Sequence, residues 1–181
     1  MRDGRPLLYL DVDGPLNPDC ARPPAGYEVH RMLPQAWLDQ HPGKPRVYVK
    51  PLKVRLNPAH GAALRRLAGV FDLVWATTWE DEANTFISPV LGLGELPVVP
   101  WPPAARRTGA GGVFWKTQPL LEHAAHRPFA WVDDDVTDAD SAFVAARHGA
   151  PALLLRIDAA RGLREGDFEA LESFAAAAGR A

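Results

Sequence analysis

Short runs of apolar residues, separated by stretches with helical spacing, recur along this chain of 181 residues. Continuous apolar runs of this length are typical of strands that are buried on both faces, as in a parallel sheet covered by helices. They predict five strands, which cover residues 7–12, 71–76, 96–99, 129–132 and 152–157. Because strands that alternate with helices form right-handed βαβ units, we expect a three-layer α/β sandwich in one domain spanning residues 1–181.

Capping residues place helices between these strands. Asn57 followed by Pro58 predicts a helix start, and Asp167 is predicted to cap a helix near the C-terminus. Residues 15–56 interrupt the alternation, because they contain eight prolines and show a period of two at 27–31 and 46–50. We interpret this segment as a small β-flap rather than as a second domain.

Charge and composition exclude several classes of protein. The chain has 20 Lys and Arg against 22 Asp and Glu, so its net charge of −2 predicts no strong nonspecific binding to nucleic acid, although a local patch stays open. No apolar run approaches the ~18 residues that a membrane span needs, and the N-terminus has no signal-peptide pattern. With Cys20 as its single cysteine, the chain is expected to be cytoplasmic and not membrane-bound.

Two carboxylates end the first predicted strand. Asp11 and Asp13 are two residues apart, so they point to the same side, and Gly14 lets the backbone turn sharply beyond them. The carboxyl ends of parallel strands are where open α/β sheets bind ligands. Taken alone, this pattern is equally typical of a solvated turn.

A second acidic cluster follows the fourth predicted strand and comprises Asp133, Asp134, Asp135, Asp138 and Asp140. If the two strands are neighbours, carboxylates about 4 Å apart repel each other by roughly 4 kcal/mol at an effective dielectric near 20, so a cation or protons must be present. A cluster of oxygen ligands alone favours Mg²⁺ over Zn²⁺. A helix cap would explain one acid of the cluster, but not the consecutive pair at its start.

Residues suited to phosphate lie between the two clusters. Thr77 and Thr78 end the second predicted strand, and Lys116 begins a helix. A hydroxyl and free backbone N–H groups suit phosphate oxygens, and an ammonium offsets the carboxylates.

In this order, the motifs resemble those of the haloacid dehalogenase superfamily. The superfamily pattern has a DxDG motif, a Thr or Ser closing the second strand, a Lys, and a final acidic DD or DDxxxD motif. Here these are Asp11-Val12-Asp13-Gly14, Thr77, Lys116 and Asp133-Asp134, over about residues 7–157. The stretches LYLDVDGPLNP, LVWATTWEDEAN and FAWVDDD also look like a small bacterial branch of these domains that is associated with RNA repair proteins.

The resemblance implies a strand order of 5-4-1-2-3 and a Mg²⁺-dependent phosphatase that acts through an aspartyl-phosphate. Asp11 would be the nucleophile, and Asp13 would protonate the leaving alkoxide and then deprotonate the hydrolytic water. Thr77 would hold the phosphoryl oxygens, and Lys116 would neutralise charge.

The resemblance also implies the metal ligands. These would be Asp11, the backbone carbonyl of Asp13, and either Asp134 or Asp133. Aligning Asp134 and Asp138 with the acidic motif favours Asp134 as the direct ligand, with Asp133 in support.

The chain has no room for a large cap over this site, so the site is expected to be open. That favours an extended phosphorylated substrate, such as a nucleic-acid end or a phosphoprotein, without excluding nucleotides. Candidate substrate-binding residues are Gly14, Thr78, Arg106 and Arg107. Trp79, Trp101 and Trp115 lie beside loops at the same edge, where they could stack on a base or anchor the loops.

Two other functions stay open, and a third is excluded by the order of the motifs. A receiver domain also combines acids with Thr and Lys, but there the second acid comes before them. One alternative is a catalytically silent binding module of the same fold. The presence of all the motif residues argues against it, because a silent module would not need to keep every one of them. A phosphotransferase, which passes the phosphoryl group to an acceptor other than water, is the other.

Overall fold

The computed structural model describes residues 4–102 and 110–179. The strands are β1 (Leu7–Leu10), β2 (Glu28–Met32), β3 (Leu52–Leu56), β4 (Asp72–Trp75), β5 (Phe129–Asp133) and β6 (Ala152–Arg156). The helices are α1 (Gln35–Asp39), α2 (Pro58–Leu67), α3 (Glu82–Phe86), α4 (Ser88–Leu91), α5 (Thr117–Ala124), α6 (Asp138–Arg147) and α7 (Glu165–Ala178). No helix in these two ranges is long and apolar enough to cross a membrane.

The central sheet has four parallel strands in the order β4-β1-β5-β6, which confirms the α/β class with a parallel sheet. β1 lies between β4 and β5, with Leu10 beside Trp75 on one side and Val132 on the other. The segment predicted as a strand at 96–99 makes only one bridge, between Val98 and Trp75, so the prediction of a full strand there is wrong. Two prolines flank the paired residues, and proline cannot donate to a strand ladder.

Apolar side chains cover both faces of this sheet. On one face, Leu8 and Leu10 of β1 join a cluster that includes residues of α2, α4 and α7. On the other face, Leu7 and Tyr9 join a cluster with residues of α5 and α6. This alternation explains the continuous apolar sequence of β1, because every one of its residues is buried against a helix layer.

Helix ends follow the sequence signals in one case and depart from them in another. Asn57 caps α2 as predicted, since its side chain accepts a hydrogen bond from the Ala59 N–H. Asp167 does not cap α7: Arg164 holds that position, and Asp167 lies three residues further on and accepts from the Arg164 backbone N–H. The acid therefore serves the helix start from inside the first turn.

The flap is a two-stranded antiparallel sheet of β2 and β3, with α1 between them. The flap strand that the alternation at 27–31 predicts is confirmed within one residue. The flap strand predicted at 46–50 is wrong, because residues 46–48 form a 3-10 turn and the second strand begins at Leu52. Met32, Val54 and Leu56 of the flap are buried in the core below the sheet. The flap is thus packed onto the domain through one of its faces.

Candidate active site

The candidate site lies where β1, β4 and β5 end side by side. The backbone N–H of Asp11 donates to the carbonyl of Val132, and that of Ala76 donates to the carbonyl of Leu10. Asp11, Thr77 and Asp133 therefore meet at one edge of the sheet, as the order of the sequence motifs predicts. All three side chains are buried.

Lys116 joins the two acidic clusters. Its Nζ atom lies 2.7 Å from Asp11 Oδ2 and 2.7 Å from Asp133 Oδ2, and the side chain is only 2% exposed. Burial alone would lower the pKa of this lysine, but the charges and hydrogen bonds of the two carboxylates outweigh it and raise the pKa above its ordinary value. Lys116 is therefore a fixed positive charge at the centre of the site.

Three carboxylates converge beside this lysine. Oxygens of Asp11, Asp133 and Asp134 all lie within 4.8 Å of one another. At that separation and an effective dielectric near 20, each pair of full charges repels by about 3 to 4 kcal/mol, which one ammonium offsets only in part. The set contains oxygen ligands alone and suits a hard divalent cation such as Mg²⁺. The carboxylate of Asp13 is not part of this set.

Asp133 and Asp134 differ in how much of their ligand capacity is free. Asp133 is fully buried, and its two oxygens already accept hydrogen bonds from Lys116 Nζ and from the backbone N–H of Asp135. Asp134 is partly exposed, and among the residues that the structure describes its carboxylate accepts only from its own backbone N–H. Of the two neighbours, Asp134 thus has more capacity left for a cation.

Burial raises the pKa values of both acids. For Asp133, burial and the charge of Asp11 raise the pKa, and Lys116 opposes the shift. For Asp134, burial is the main cause and the charges of Asp135 and Asp11 add to it, which gives a pKa of about 6. A bound cation would favour the ionised form of each carboxylate, so the raised values describe a site that gains from one.

Gly14 makes room for Asp134. Its φ of +84° is in the left-handed region, and a Cβ at this position would lie 2.4 Å from the Asp134 carboxylate. The Gly14 N–H already donates to the Asn17 carbonyl, so it is engaged within the loop. The glycine that follows the two acids in the sequence therefore permits both the turn and the close approach of the second acidic cluster.

Asp13 is held by two donors that the sequence did not indicate. Asn17 Nδ2 lies 2.8 Å from Asp13 Oδ1, and Trp79 Nε1 lies 2.9 Å from Asp13 Oδ2. Asp13 is itself exposed, but the protein packed around its carboxylate displaces enough water to raise its pKa. These two hydrogen bonds oppose the shift, and the nearby charge of Asp11 adds to it. A carboxyl group whose pKa is raised is suited to giving and taking protons.

Two contacts fasten the flap beside Asp13. Asn17 Oδ1 accepts from the backbone N–H of Arg55 in β3, 2.8 Å away. Glu82, at the start of α3, accepts from the first two backbone N–H groups of α1, those of Gln35 and Ala36. The flap is thus tied directly to the two loops that carry Asp13 and Thr77.

Asp140 positions the turn that carries Lys116. It is fully buried and accepts from the backbone N–H of Phe114 at 2.7 Å and from Thr117 Oγ1 at 2.5 Å. It also forms a capping box with Thr137 at the start of α6. The sequence analysis missed this role of Asp140, although the Thr-x-x-Asp spacing of the capping box could have indicated it. Asp138 lies exposed on the first turn of α6.

The two threonines have different surroundings. Thr77 is fully buried, its Oγ1 accepts from the Trp79 backbone N–H, and its carbonyl accepts from Trp101 Nε1. Thr78 is exposed. Trp101 packs edge-to-face on Trp115, with ring centroids 5.0 Å apart, so both rings help to build the loops at this edge. Arg106 and Arg107 lie outside the described residues.

A small cavity of about 120 Å³ opens between Asp13 and the flap. Trp37 and Gln40 contribute to it from α1 and its end, and Thr78 and Trp79 from the loop after β4. Among the described residues that line it, the charged ones are Asp13 and Glu82, and none is a lysine or an arginine. An uncharged group fits such a cavity better than an anion does.

Comparisons of this chain with protein-family models, with curated proteins and with solved structures find no match. Its function has to be inferred from its own residues and their geometry.

Proposed function

We propose that this protein is a Mg²⁺-dependent phosphatase that hydrolyses phosphoric monoesters through an aspartyl-phosphate on Asp11. The observation that carries the proposal is the convergence of Asp11, Asp133 and Asp134 around the buried Lys116, with Asp13 held alongside. The order of the motifs, which resembles that of haloacid dehalogenase phosphatases, supports the same reaction and the Rossmann-like strand order 5-4-1-2-3.

The donor set fits a divalent cation, because within the described part of the chain three carboxylates meet a single ammonium, which leaves excess negative charge. Asp11 and Asp134 would hold the cation directly, with the Asp13 carbonyl. Asp133 would keep Lys116 in place, since both of its oxygens are already engaged. When bound, Mg²⁺ would neutralise charge on the phosphoryl oxygens and lower the repulsion that a nucleophilic carboxylate meets.

In the first half of the reaction, a carboxylate oxygen of Asp11 attacks phosphorus, and the bond between phosphorus and the leaving oxygen breaks. Asp13 gives its proton to that oxygen, so the alcohol departs neutral. In the second half, Asp13 takes a proton from water as the water oxygen attacks phosphorus. The bond between phosphorus and Asp11 then breaks, which releases inorganic phosphate and leaves Asp11 as a carboxylate and Asp13 protonated, as at the start.

The charges around Asp11 suit this sequence. Lys116 touches Asp11 and is positioned to offset the phosphoryl oxygens. Thr77 is fully buried in the loop that follows β4, next to the end of β1 that carries Asp11. Together with the neighbouring Thr78, it would hold the phosphoryl group. Gly14 allows close approach of the chain rather than offering its N–H, which Asn17 already accepts.

The cavity beside Asp13 would receive the leaving alcohol. Its acidic and aromatic lining favours an uncharged leaving group, and its opening toward the flap leaves room for a substrate that continues outside. A nucleic-acid end, a nucleotide or a phosphoprotein would satisfy this condition. With the rings of Trp101 and Trp115 half-buried at the same edge, stacking on a base there stays a prediction.

The test is turnover of p-nitrophenyl phosphate with Mg²⁺, followed by a screen over nucleotides, sugar phosphates, phosphopeptides and phosphorylated oligonucleotides. Asp11→Asn should abolish turnover and leave the fold intact, because the amide is nearly isosteric with the carboxylate. Asp138→Asn, at an exposed acid of the same motif, is the matched control and should keep wild-type turnover. Chelation with EDTA should stop the reaction.

Trapping with beryllium fluoride gives an independent result, since the adduct should form on Asp11. Asp134→Ala should raise the Mg²⁺ requirement more than Asp133→Ala does. Undiminished turnover in the Asp11→Asn protein would refute the proposal, and no turnover of any ester by the wild-type protein would favour a silent binding module.

A further inference from the structure

The flap is far more basic than the rest of the chain. Residues 28–56 contain six Lys and Arg and only two acids, Glu28 and Asp39, so this segment carries a formal charge of +4. Because the whole chain carries −2, the remaining residues carry −6. The flap therefore has a net positive charge, although the protein as a whole is slightly acidic.

The strand pairing places like charges on one face of the flap. Arg31 of β2 is directly opposite Lys53 of β3, and Val29 is opposite Arg55. Directly opposed residues of antiparallel strands point to the same face, and like charges in such pairs destabilise the sheet. The other face carries Met32 and Val54, which are buried in the core. The like charges on the outer face of the flap therefore repel each other, which costs stability.

The cations of the flap are available to a partner. The six are Arg31, Lys44, Arg46, Lys50, Lys53 and Arg55, and all but Arg55 are exposed. None of them forms an ion pair with any residue that the structure describes. Several exposed cations without ion-pair partners, on a flap whose net charge is opposite to that of the rest of the chain, attract a polyanion.

An aromatic side chain stands among these cations. Tyr48 is 77% exposed in the turn between Arg46 and Lys50, and Val47 beside it is 84% exposed. Only three residues lie between Tyr48 and the start of β3 at Leu52, so the two Cα atoms are at most about 14 Å apart. Cations that track a backbone, together with an aromatic ring for stacking, are the elements with which proteins bind single-stranded nucleic acid.

We propose that the outer face of the flap, formed by Arg31, Lys53, Arg55 and the turn with Arg46, Tyr48 and Lys50, binds single-stranded polynucleotide. The cations contact successive phosphates, and Tyr48 stacks on a base. An acidic peptide would use the charges but has no need of the exposed ring, so the polynucleotide accounts for more of the surface.

This inference rests on the proposed function in one respect, which is the direction of the bound strand. The Arg55 N–H donates to Asn17, and Asn17 donates to Asp13. The binding face is therefore two hydrogen bonds away from the group that would protonate the leaving alcohol. A strand held on the flap would present a phosphorylated end to Asp11.

Binding is measured by fluorescence anisotropy of a labelled, phosphorylated single-stranded oligonucleotide. All proteins carry Asp11→Asn, so that the terminal phosphate is not removed during the measurement. The test variant is Arg31→Gln/Lys50→Gln/Lys53→Gln. The control is Arg66→Gln/Arg147→Gln/Arg161→Gln, which removes the same charge from exposed positions outside the flap. Each phosphate contact on a single strand contributes about 0.7 to the magnitude of the slope of log K against log salt. The test variant loses three cations, so the magnitude of its slope should fall by about 2, and that of the control should not change.

Tyr48→Ala tests the stacking separately and should weaken binding about 5- to 150-fold, with little change in the salt slope. A duplex of the same sequence should bind more weakly than the single strand, because its bases are already stacked. Equal losses from the test and control variants, no effect of Tyr48→Ala, or equal binding of an acidic peptide or of anionic vesicles would overturn the inference. Failure of ester hydrolysis would refute the proposed phosphatase and leave these binding results unaffected.

Discussion

Replacing Lys116 by Met removes the cation that holds the acidic site together. The methionine fills a similar volume, but Asp11 and Asp133 then lose the ammonium that lies 2.7 Å from each of them. Removing one partner of a buried ion pair costs about 3 to 5 kcal/mol, because the remaining charge is buried without compensation. For a domain of this size each kcal/mol lowers Tm by about 2–4 °C, so the variant should melt about 6–20 °C lower in EDTA.

The loss should depend on pH and on divalent cations. Because the pKa of Asp133 is raised in the folded protein and rises further without Lys116, protonation relieves the repulsion, and the difference between wild type and variant should shrink as pH falls from 8 to 5. Excess Mg²⁺ should recover part of the stability of the variant, since the cation offsets the same carboxylates. Turnover should not recover, because the proposed mechanism also needs Lys116 to offset the charge of the phosphoryl oxygens.

The assay is urea and thermal unfolding, followed by circular dichroism, in EDTA and in Mg²⁺. Lys44→Met is the matched control, because Lys44 is exposed and should cost less than about 0.5 kcal/mol. Equal losses for the two variants, or a loss for Lys116→Met that is the same at pH 5 and pH 8, would refute the account of Lys116 as the internal counter-ion.

Three further outcomes follow from the same site. Gly14→Ala should lower both stability and turnover, because alanine is strained at φ +84° and its Cβ would lie 2.4 Å from the Asp134 carboxylate and displace it. Wild-type stability and turnover in this variant would contradict that packing. The affinity for divalent cations should fall as pH drops below about 6, because the pKa of Asp134 is about 6 without metal and the protonated acid binds a cation poorly. Calorimetry in buffers of different ionisation enthalpy measures the protons that are released when the cation binds. Trp79→Phe removes a hydrogen bond to the ionised form of Asp13, so the pKa of Asp13 should rise and one limb of the pH–rate profile should move to higher pH. Trp101→Phe, which loses a hydrogen bond to a backbone carbonyl, should leave that limb in place.

The sequence was sufficient for the parallel sheet and for the edge at which the acids meet. Continuous apolar runs can be buried only between two helix layers, and the acids follow those runs directly, so the meeting of Asp11 and Asp133 follows from local pattern and strand adjacency. The capping of α2 by Asn57 was predictable for the same reason, because a cap depends on neighbours in the chain.

The remaining features depend on contacts between residues far apart in sequence. The donors to Asp13, the tether of α1 by Glu82 and the anchoring of the Lys116 turn by Asp140 join segments that no local pattern relates. The second strand of the flap was misplaced because the alternation at 46–50 competes with pairing to β2, which tertiary packing settled in favour of Leu52–Leu56. Local propensity determined which segments become strands and helices, and tertiary packing decided which side chains hold the carboxylates in place.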